Sequence, residues 1–260
     1  MTGAVMPKVH SFSLPQLLAV SEKLRDDCGA LRFAPPVAAV YNPLDYAWKS
    51  HRQYLEKWGQ GHKKILLLGM NPGPFGMAQT GVPFGEVSQV RDFLGVCAPV
   101  QKPAKEHPAR PVEGFACARS EVSGSRLWGW VEQRFQKPER FFRDFFVINW
   151  CPLAFMEESG ANRTPDKLPK AERERLNAIC DRAFREMVEL YEPEWVIGVG
   201  GFALERAKKA LQDPETRELP EGLRFGVIPH PSPASPAANR GWAAAAEKAF
   251  AEMGIALPKA

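Results

Sequence analysis

The stretch Lys63-Lys64-Ile65-Leu66-Leu67-Leu68-Gly69-Met70-Asn71-Pro72-Gly73-Pro74-Phe75-Gly76-Met77 decides how this chain is read. A charged start followed by an unbroken aliphatic run is the pattern of a strand buried on both faces, as in a parallel sheet. The run stops at a loop dense in Gly and Pro, whose one polar side chain, Asn71, stands just past the strand's carboxyl end. Open α/β sheets bind ligands at that edge. A second short apolar run, Phe225-Gly226-Val227-Ile228, ends in Pro229-His230-Pro231-Ser232-Pro233, with His230 159 positions after Asn71. An amide and an imidazole are therefore expected at one edge of one sheet.

Two further strands fit the same scheme. Phe145-Phe146-Val147-Ile148-Asn149 is apolar and again ends in an amide. Trp195-Val196-Ile197-Gly198-Val199 is followed by Gly200-Gly201, which permits close approach of backbone or ligand. Ser13-Leu14-Pro15 caps a helix running to about residue 28, and Asn42-Pro43 starts another reaching about residue 58. Residues 86–94, 125–135, 201–211 and 241–253 read as helices, and 170–191 as a long amphipathic one. Residues 99–125 form a long excursion of the kind that often carries function, and 150–169 read as a loop. Strands alternating with helices imply a four-stranded parallel sheet with helices on both faces.

The bulk properties narrow the function. With 260 residues the chain can bury one large core. Residues 1–260 read as one domain, with about 1–10 and 255–260 as flexible ends. The net charge of +4 permits an anionic partner without demanding one. Five cysteines, an odd number with no C-x-x-C pair, argue against a zinc site, an iron–sulfur cluster or a disulfide framework; reduced intracellular thiols are expected instead. No apolar run reaches the ~20 residues of a membrane span, and the first ten residues lack the apolar core of a signal peptide. The loop after residue 69 has neither the Gly-Lys-[Ser/Thr] ending of a P-loop nor a dinucleotide fingerprint, and no G-x-S-x-G elbow occurs. No metal, cofactor or membrane partner is expected.

Longer motifs make the chain recognisable. Gly69-Met70-Asn71-Pro72-Gly73-Pro74-Phe75-Gly76-Met77-Ala78-Gln79-Thr80-Gly81-Val82-Pro83-Phe84-Gly85 resembles the signature of the single-strand-selective monofunctional uracil-DNA glycosylases. His230-Pro231-Ser232-Pro233 with Asn239-Arg240-Gly241-Trp242 resembles their second motif. Asn149-Trp150-Cys151-Pro152-Leu153 and Arg163-Thr164-Pro165-Asp166-Lys167-Leu168-Pro169 also match. The resemblance spans roughly residues 11–254. It implies the uracil-DNA glycosylase fold, a three-layer α/β/α sandwich around a four-stranded parallel sheet. It also implies a repair enzyme that releases uracil from single- and double-stranded DNA and leaves an abasic site. A monomer is expected, at the nucleoid in a bacterium or in the nucleus of a eukaryote.

The resemblance also distributes roles. An excised base must first be flipped out of the stack into a pocket. Phe84 is the stacking face by its place in the motif. Asn149 reads the base edge, donating to uracil O4 and accepting from N3–H; cytosine reverses both partners. Asn71 holds the attacking water, and His230 donates to O2 as charge gathers on the leaving base. Gly73 lies near C5, where it leaves room for a 5-substituent such as hydroxymethyl, and thymine is rejected through a polar contact lined by Met70 and Gly73. The loop of residues 231–241 is the wedge that fills the vacated stack. Its residues Pro231, Ser232, Pro233, Ala234, Ser235, Asn239 and Arg240, with Arg163 and Lys167, are the expected DNA contacts. Relatives carry an Arg near Ala234, so the wedge here is small. Lys63 and Lys64 precede their strand and fall at the opposite edge, so no Schiff base and no strand cleavage are expected. Two other readings share the fold: a non-catalytic lesion binder, and a glycosylase for xanthine or hypoxanthine.

Overall fold

The structure is a computed structural model and describes residues 12–212 and 222–258. In chain order it contains α1 (Leu14–Gly29), β1 (Val37–Tyr41), α2 (Trp48–Trp58), β2 (Ile65–Gly69), α3 (Val122–Phe135), β3 (Phe145–Asn149), β4 (Ala154–Glu157), β5 (Asn162–Arg163), α4 (Lys170–Tyr191), β6 (Trp195–Val199), α5 (Gly201–Leu211), β7 (Arg224–Ile228) and α6 (Trp242–Glu252), with shorter helical turns between them.

The aliphatic runs pair as expected. Four strands form a parallel sheet in the order β3-β2-β6-β7. The two inner strands, β2 and β6, are buried at every position, which is why neither shows an alternating pattern. The step from β2 to β3 runs one way along the sheet, and the steps to β6 and β7 run the other way. Right-handed crossovers therefore place their helices on opposite faces. Accordingly α4 packs against α1 and α5, while α3 packs against α6. Stacked and edge-on rings of Tyr54, Trp58, Trp128, Phe141, Phe142, Phe145 and Phe146 fill the core beside β3.

A second sheet was not anticipated. Residues 150–169 contain β4 and β5, and these join β1 in an antiparallel sheet of order β1-β4-β5. No sequence pattern marks it: β1 is Val-Ala-Ala-Val-Tyr behind two prolines, and β5 has two residues. The expected helix of residues 42–58 is interrupted, with a short turn at Pro43–Tyr46 before α2. The helical stretch near residue 90 is a π-turn at Gln89–Phe93. The expected flexible segment of residues 1–10 lies outside the described residues. At the other end, Ile255 donates to Phe250 O at 2.9 Å, and Ile255 and Leu257 pack on the core. Among the described residues no helix is long and apolar enough to cross a membrane.

The long excursion is stitched to the Gly/Pro loop by Gln79. Its Nε2 donates to Pro74 O and Pro111 O, and its Oε1 accepts from the N–H groups of Glu113 and Gly114. This fully buried amide thereby meets all four of its hydrogen-bonding capacities and fixes the shape of the loop that carries Asn71.

Candidate active site

Register aligns the strand ends. Gly69 pairs with Asn149, and Val199 with Ile228, so the carboxyl ends of the strands open together. A pocket of about 410 Å³ lies there, lined by Met70, Asn71, Gly73, Phe84, Asn149 and His230 among others. A larger groove, about 750 Å³, runs between α1 and β1, but none of those six residues lines it. Among the described residues no group of three or more His, Cys, Asp or Glu could hold a metal ion.

Asn71 and His230 are each held by backbone. Asn71 Nδ2 donates to Leu153 O at 3.2 Å and to Pro72 O at 3.4 Å, which commits the donor side of the amide to backbone and leaves Oδ1 as its acceptor. Leu153 directly precedes β4, so the unanticipated sheet supplies the acceptor that orients this amide. Ser232 N–H donates to His230 Nδ1 at 3.1 Å. Nδ1 is thus the acceptor, and the neutral ring carries its proton on Nε2. Burial lowers the His230 pKa, which favours this neutral form.

Phe84 and Asn149 meet over Gly69. A Cβ on Gly69 would stand 2.2 Å from Asn149 Oδ1 and 2.7 Å from Phe84 Cε2, so only glycine lets both side chains close on the strand end. Asn149 Nδ2 also donates to Met77 Sδ at 3.3 Å. Phe84 has φ of +52°, a backbone conformation an aromatic residue rarely adopts. Gly124 of α3 permits it, because a Cβ there would stand 2.0 Å from Phe84 O. Strain of this kind is tolerated where surrounding structure enforces it, and it concentrates in functional pockets. The Phe84 ring lies 6.2 Å from the His230 ring, centroid to centroid.

The loop of residues 231–241 is braced. Arg126 of α3 donates to Pro231 O at 2.8 Å and to Asn239 Oδ1 at 3.0 Å; Asn239 Nδ2 donates to Pro233 O at 2.7 Å. Ser232 Oγ accepts from Ala234 N–H, and Ser235 N–H donates to Ser232 O. Pro231 is buried, whereas Pro233, Ala234 and Arg240 are exposed, so the loop presents a small tip. The Asn239 amide serves the loop itself. Arg163 is likewise engaged, with Glu157 Oε1 and Lys167 O as acceptors; Lys167 is exposed.

Three features escaped the sequence reading. Glu121 lines the pocket as the N-cap of α3, accepting from the N–H groups of Ser123 and Gly124. An acid directly before a helix start is a cap signal that could have singled it out. Burial raises its pKa above the usual carboxylate value, and those backbone donors oppose the shift. Arg126 braces the loop after β7 across 105 positions of sequence. Phe75, at the tip of the Gly/Pro loop, carries the guanidinium groups of Arg119 at 4.9 Å and Arg110 at 5.4 Å.

A four-stranded parallel sheet with this pocket at its carboxyl edge is the architecture of a base-excising enzyme family: the family model of the uracil DNA glycosylase superfamily matches residues 56–253. The single-strand selective monofunctional uracil DNA glycosylase of Mus musculus is 50% identical over 233 residues, covering 90% of this chain and 82% of its own. That of Bos taurus is 50% identical over 255 residues, covering 97% and 92%. The crystal structure of Pedobacter heparinus SMUG2 shares the fold, with a TM-score of 0.64 at 15% identity, covering 90% of this chain and 97% of that one. The chain belongs to the uracil DNA glycosylase superfamily, in its single-strand selective monofunctional family.

Proposed function

We propose that this chain hydrolyses the N-glycosidic bond of uracil and of 5-modified uracils such as 5-hydroxymethyluracil in DNA, with water as the nucleophile. The observation that carries the reading is one pocket in which an amide oxygen, an imidazole N–H, an amide edge and an aromatic face converge. In this mechanism the flipped base stacks on Phe84 and is read by Asn149. The C1′–N1 bond breaks ahead of attack, its electron pair leaving with the base. His230 Nε2–H donates to O2 as that charge builds; such preorganised donors are typically worth about 3–4 kcal/mol. Water held by Asn71 Oδ1 adds to the oxocarbenium-like C1′, and its surplus proton passes to solvent or to the departing base. An amide positions water but removes its proton poorly, which suits a path where bond breaking leads.

The absence of strand cleavage in this reading is supported by the pocket lining, which contains no lysine. The buried Lys63, whose pKa burial lowers to about 8, donates to Phe142 O beyond the opposite end of β2. Gly73 supports acceptance of 5-substituents, since it carries no side chain of its own and a Cβ there would meet nothing nearer than Glu121 Oε1 at 3.9 Å. The exposed Arg119, Arg240 and Lys167, and the wedge tip of Pro233 and Ala234, are the proposed contacts to DNA. The reading also takes residues 1–260 as one catalytic domain acting as a monomer.

The test is base release from single-stranded oligonucleotides containing uracil. Asn71→Ala and His230→Leu are expected to fold normally and to lose base release by about 10²-fold or more. Full activity in both folded variants overturns the mechanism. Binding without release by the native protein would instead identify a lesion-binding module. A preference for xanthine or hypoxanthine over uracil would move the substrate to purines.

A further inference from the structure

We infer that Phe75, Arg110 and Arg119 form a phosphate-binding site at the rim of the pocket, which grips the DNA strand beside the flipped nucleotide; this rests on the reading above, which brings DNA to the same pocket. Pro74 and Gly76 line the pocket but Phe75 between them does not, so its ring belongs to the rim. Both guanidinium groups lie over that one ring, Arg119 at 4.9 Å and Arg110 at 5.4 Å from its centroid. They therefore stand no more than about 10 Å apart, a span that neighbouring phosphates of one strand can bridge. Arg119 also comes two residues before Glu121, which lines the pocket. Another part of the lining, Ser232 and Pro233, belongs to the loop after β7. A strand that turns one nucleotide into the pocket passes the rim on both sides of it, and the loop of residues 231–241 supplies only one of those sides.

The two cations are prepared for an anion. Arg134, Arg163 and Arg182 each meet a carboxylate, whereas Arg110 and Arg119 meet none among the described residues. Stacking uses the face of a guanidinium and leaves the N–H groups at its edge, a fork that matches two phosphate oxygens. Arg110 Nη1 spends one N–H on Ala109 O at 2.9 Å. The backbone beneath is fixed: Tyr41 Oη donates to Arg110 O at 2.6 Å, and Arg110 N–H donates to His107 O at 2.9 Å. Gln79 Nε2 joins Pro74 O to Pro111 O, so one amide holds the neighbours of both Phe75 and Arg110. Cations already held in place lose little freedom on binding, which raises affinity. The long excursion of residues 99–125, which the sequence sets apart without a task, is thereby the arm that carries both arginines.

The experiment separates strand binding from catalysis. Affinity for a uracil-free single-stranded oligonucleotide is measured between about 50 and 200 mM salt. The rim variants are Arg110→Gln with Arg119→Gln, and Arg119→Gln alone, whose exposed side chain leaves the fold intact when lost. The control is Arg143→Gln with Arg224→Gln: both side chains are exposed and stand at the amino ends of β3 and β7, opposite the pocket, so the same charge is removed elsewhere. Each lost phosphate contact is expected to flatten the plot of log affinity against log salt by about 0.7, and the double rim variant to bind about tenfold more weakly at the lower salt. Base release is then measured from oligonucleotides with uracil next to either end. The deficit of the double rim variant is expected to vanish with uracil near one end and to persist near the other, because the cluster sits on one side of the pocket. Rim variants whose salt slopes match the control, or a deficit equal at both ends, overturn the inference. Uracil release with unaltered slopes in the rim variants overturns the phosphate site alone, whereas native protein that shows this salt dependence and releases no base overturns the base-release reading and leaves the phosphate site standing.

Discussion

A single methyl group at residue 69 should disable the pocket from beneath. Gly69 ends β2 with φ outside the left-handed region, so alanine can adopt its backbone conformation. The damage comes from space. The new Cβ would stand 2.2 Å from Asn149 Oδ1, and real contacts of this kind stop at about 3.0 Å, so the amide must retreat by about 0.8 Å. Phe84 Cε2, at 2.7 Å, must retreat by about 0.3 Å. The backbone cannot absorb the difference, since Trp150 N–H donates to Gly69 O at 2.9 Å and locks the strand ends together.

A shift of 0.8 Å stretches an ordinary hydrogen bond beyond useful range. Two polar groups on the base edge then go unpaired, at about 1–3 kcal/mol each. A total near 3 kcal/mol corresponds to a loss of about 10²-fold in kcat/KM for uracil. Overpacking costs about 1–3 kcal/mol of stability, which a domain with a typical 5–15 kcal/mol survives. The assay is single-turnover uracil release beside far-ultraviolet circular dichroism and a thermal melt. Gly69→Ala protein that is folded and within threefold of native activity would refute the placement of Asn149 as edge reader.

Other expectations concern protons and the brace. His230 is held neutral by burial, with its pKa below the ordinary imidazole value, so uracil release should persist below pH 6.5; an acid limb centred at or above 6.5 contradicts this. His51 is buried, hydrogen-bonded to Gly81 O, and lowered by burial to about 4. Its folded pKa lies below its unfolded value near 6.5. Its contribution is therefore complete above about pH 6.5 and is lost as pH falls toward 4, by about 3 kcal/mol in all. Thermal midpoints between pH 7 and pH 4 should drop more steeply for the native protein than for His51→Gln. Arg126→Ala should free the loop bearing His230, the proposed donor to O2, and lower uracil kcat/KM about tenfold with little change in melting temperature; unchanged activity would mean the loop holds itself.

The sheet and its edge were legible because their signals are local. Leu66-Leu67-Leu68 and Phe145-Phe146-Val147-Ile148 are hydrophobic without alternation, and only a strand covered on both faces produces that. Asn149 ends such a run, Asn71 stands two residues past another, and His230 stands two residues past the shorter, half-exposed run of β7, so finding the strands placed all three at one edge. What stayed hidden depends on partners distant in sequence. Arg163 reads as a surface cation until β4 and β5 pair and bring Glu157 beside it. Glu121 reads as one acid in an irregular stretch until α3 docks beneath Gly73 and Gly76.

The division of labour in the pocket is set by backbone groups rather than by residue type. An asparagine offers a donor and an acceptor, and a neutral histidine does too. Leu153 O takes the donor of Asn71 and leaves the acceptor, which suits the proposed water with its lone pair turned toward C1′. Ser232 N–H takes the acceptor of His230 and leaves the donor, which suits an oxygen gaining negative charge. An aspartate at residue 71 would not simply add a stronger base to this frame. It would set a carboxylate oxygen against Leu153 O at the 3.2 Å now bridged by an N–H, two acceptors with no proton between them. The acid would either turn away from the proposed water site or hold its own proton. The carbonyl before β4 therefore fixes residue 71 as an amide, and the sheet that the sequence did not announce decides which chemistry the announced residue can perform.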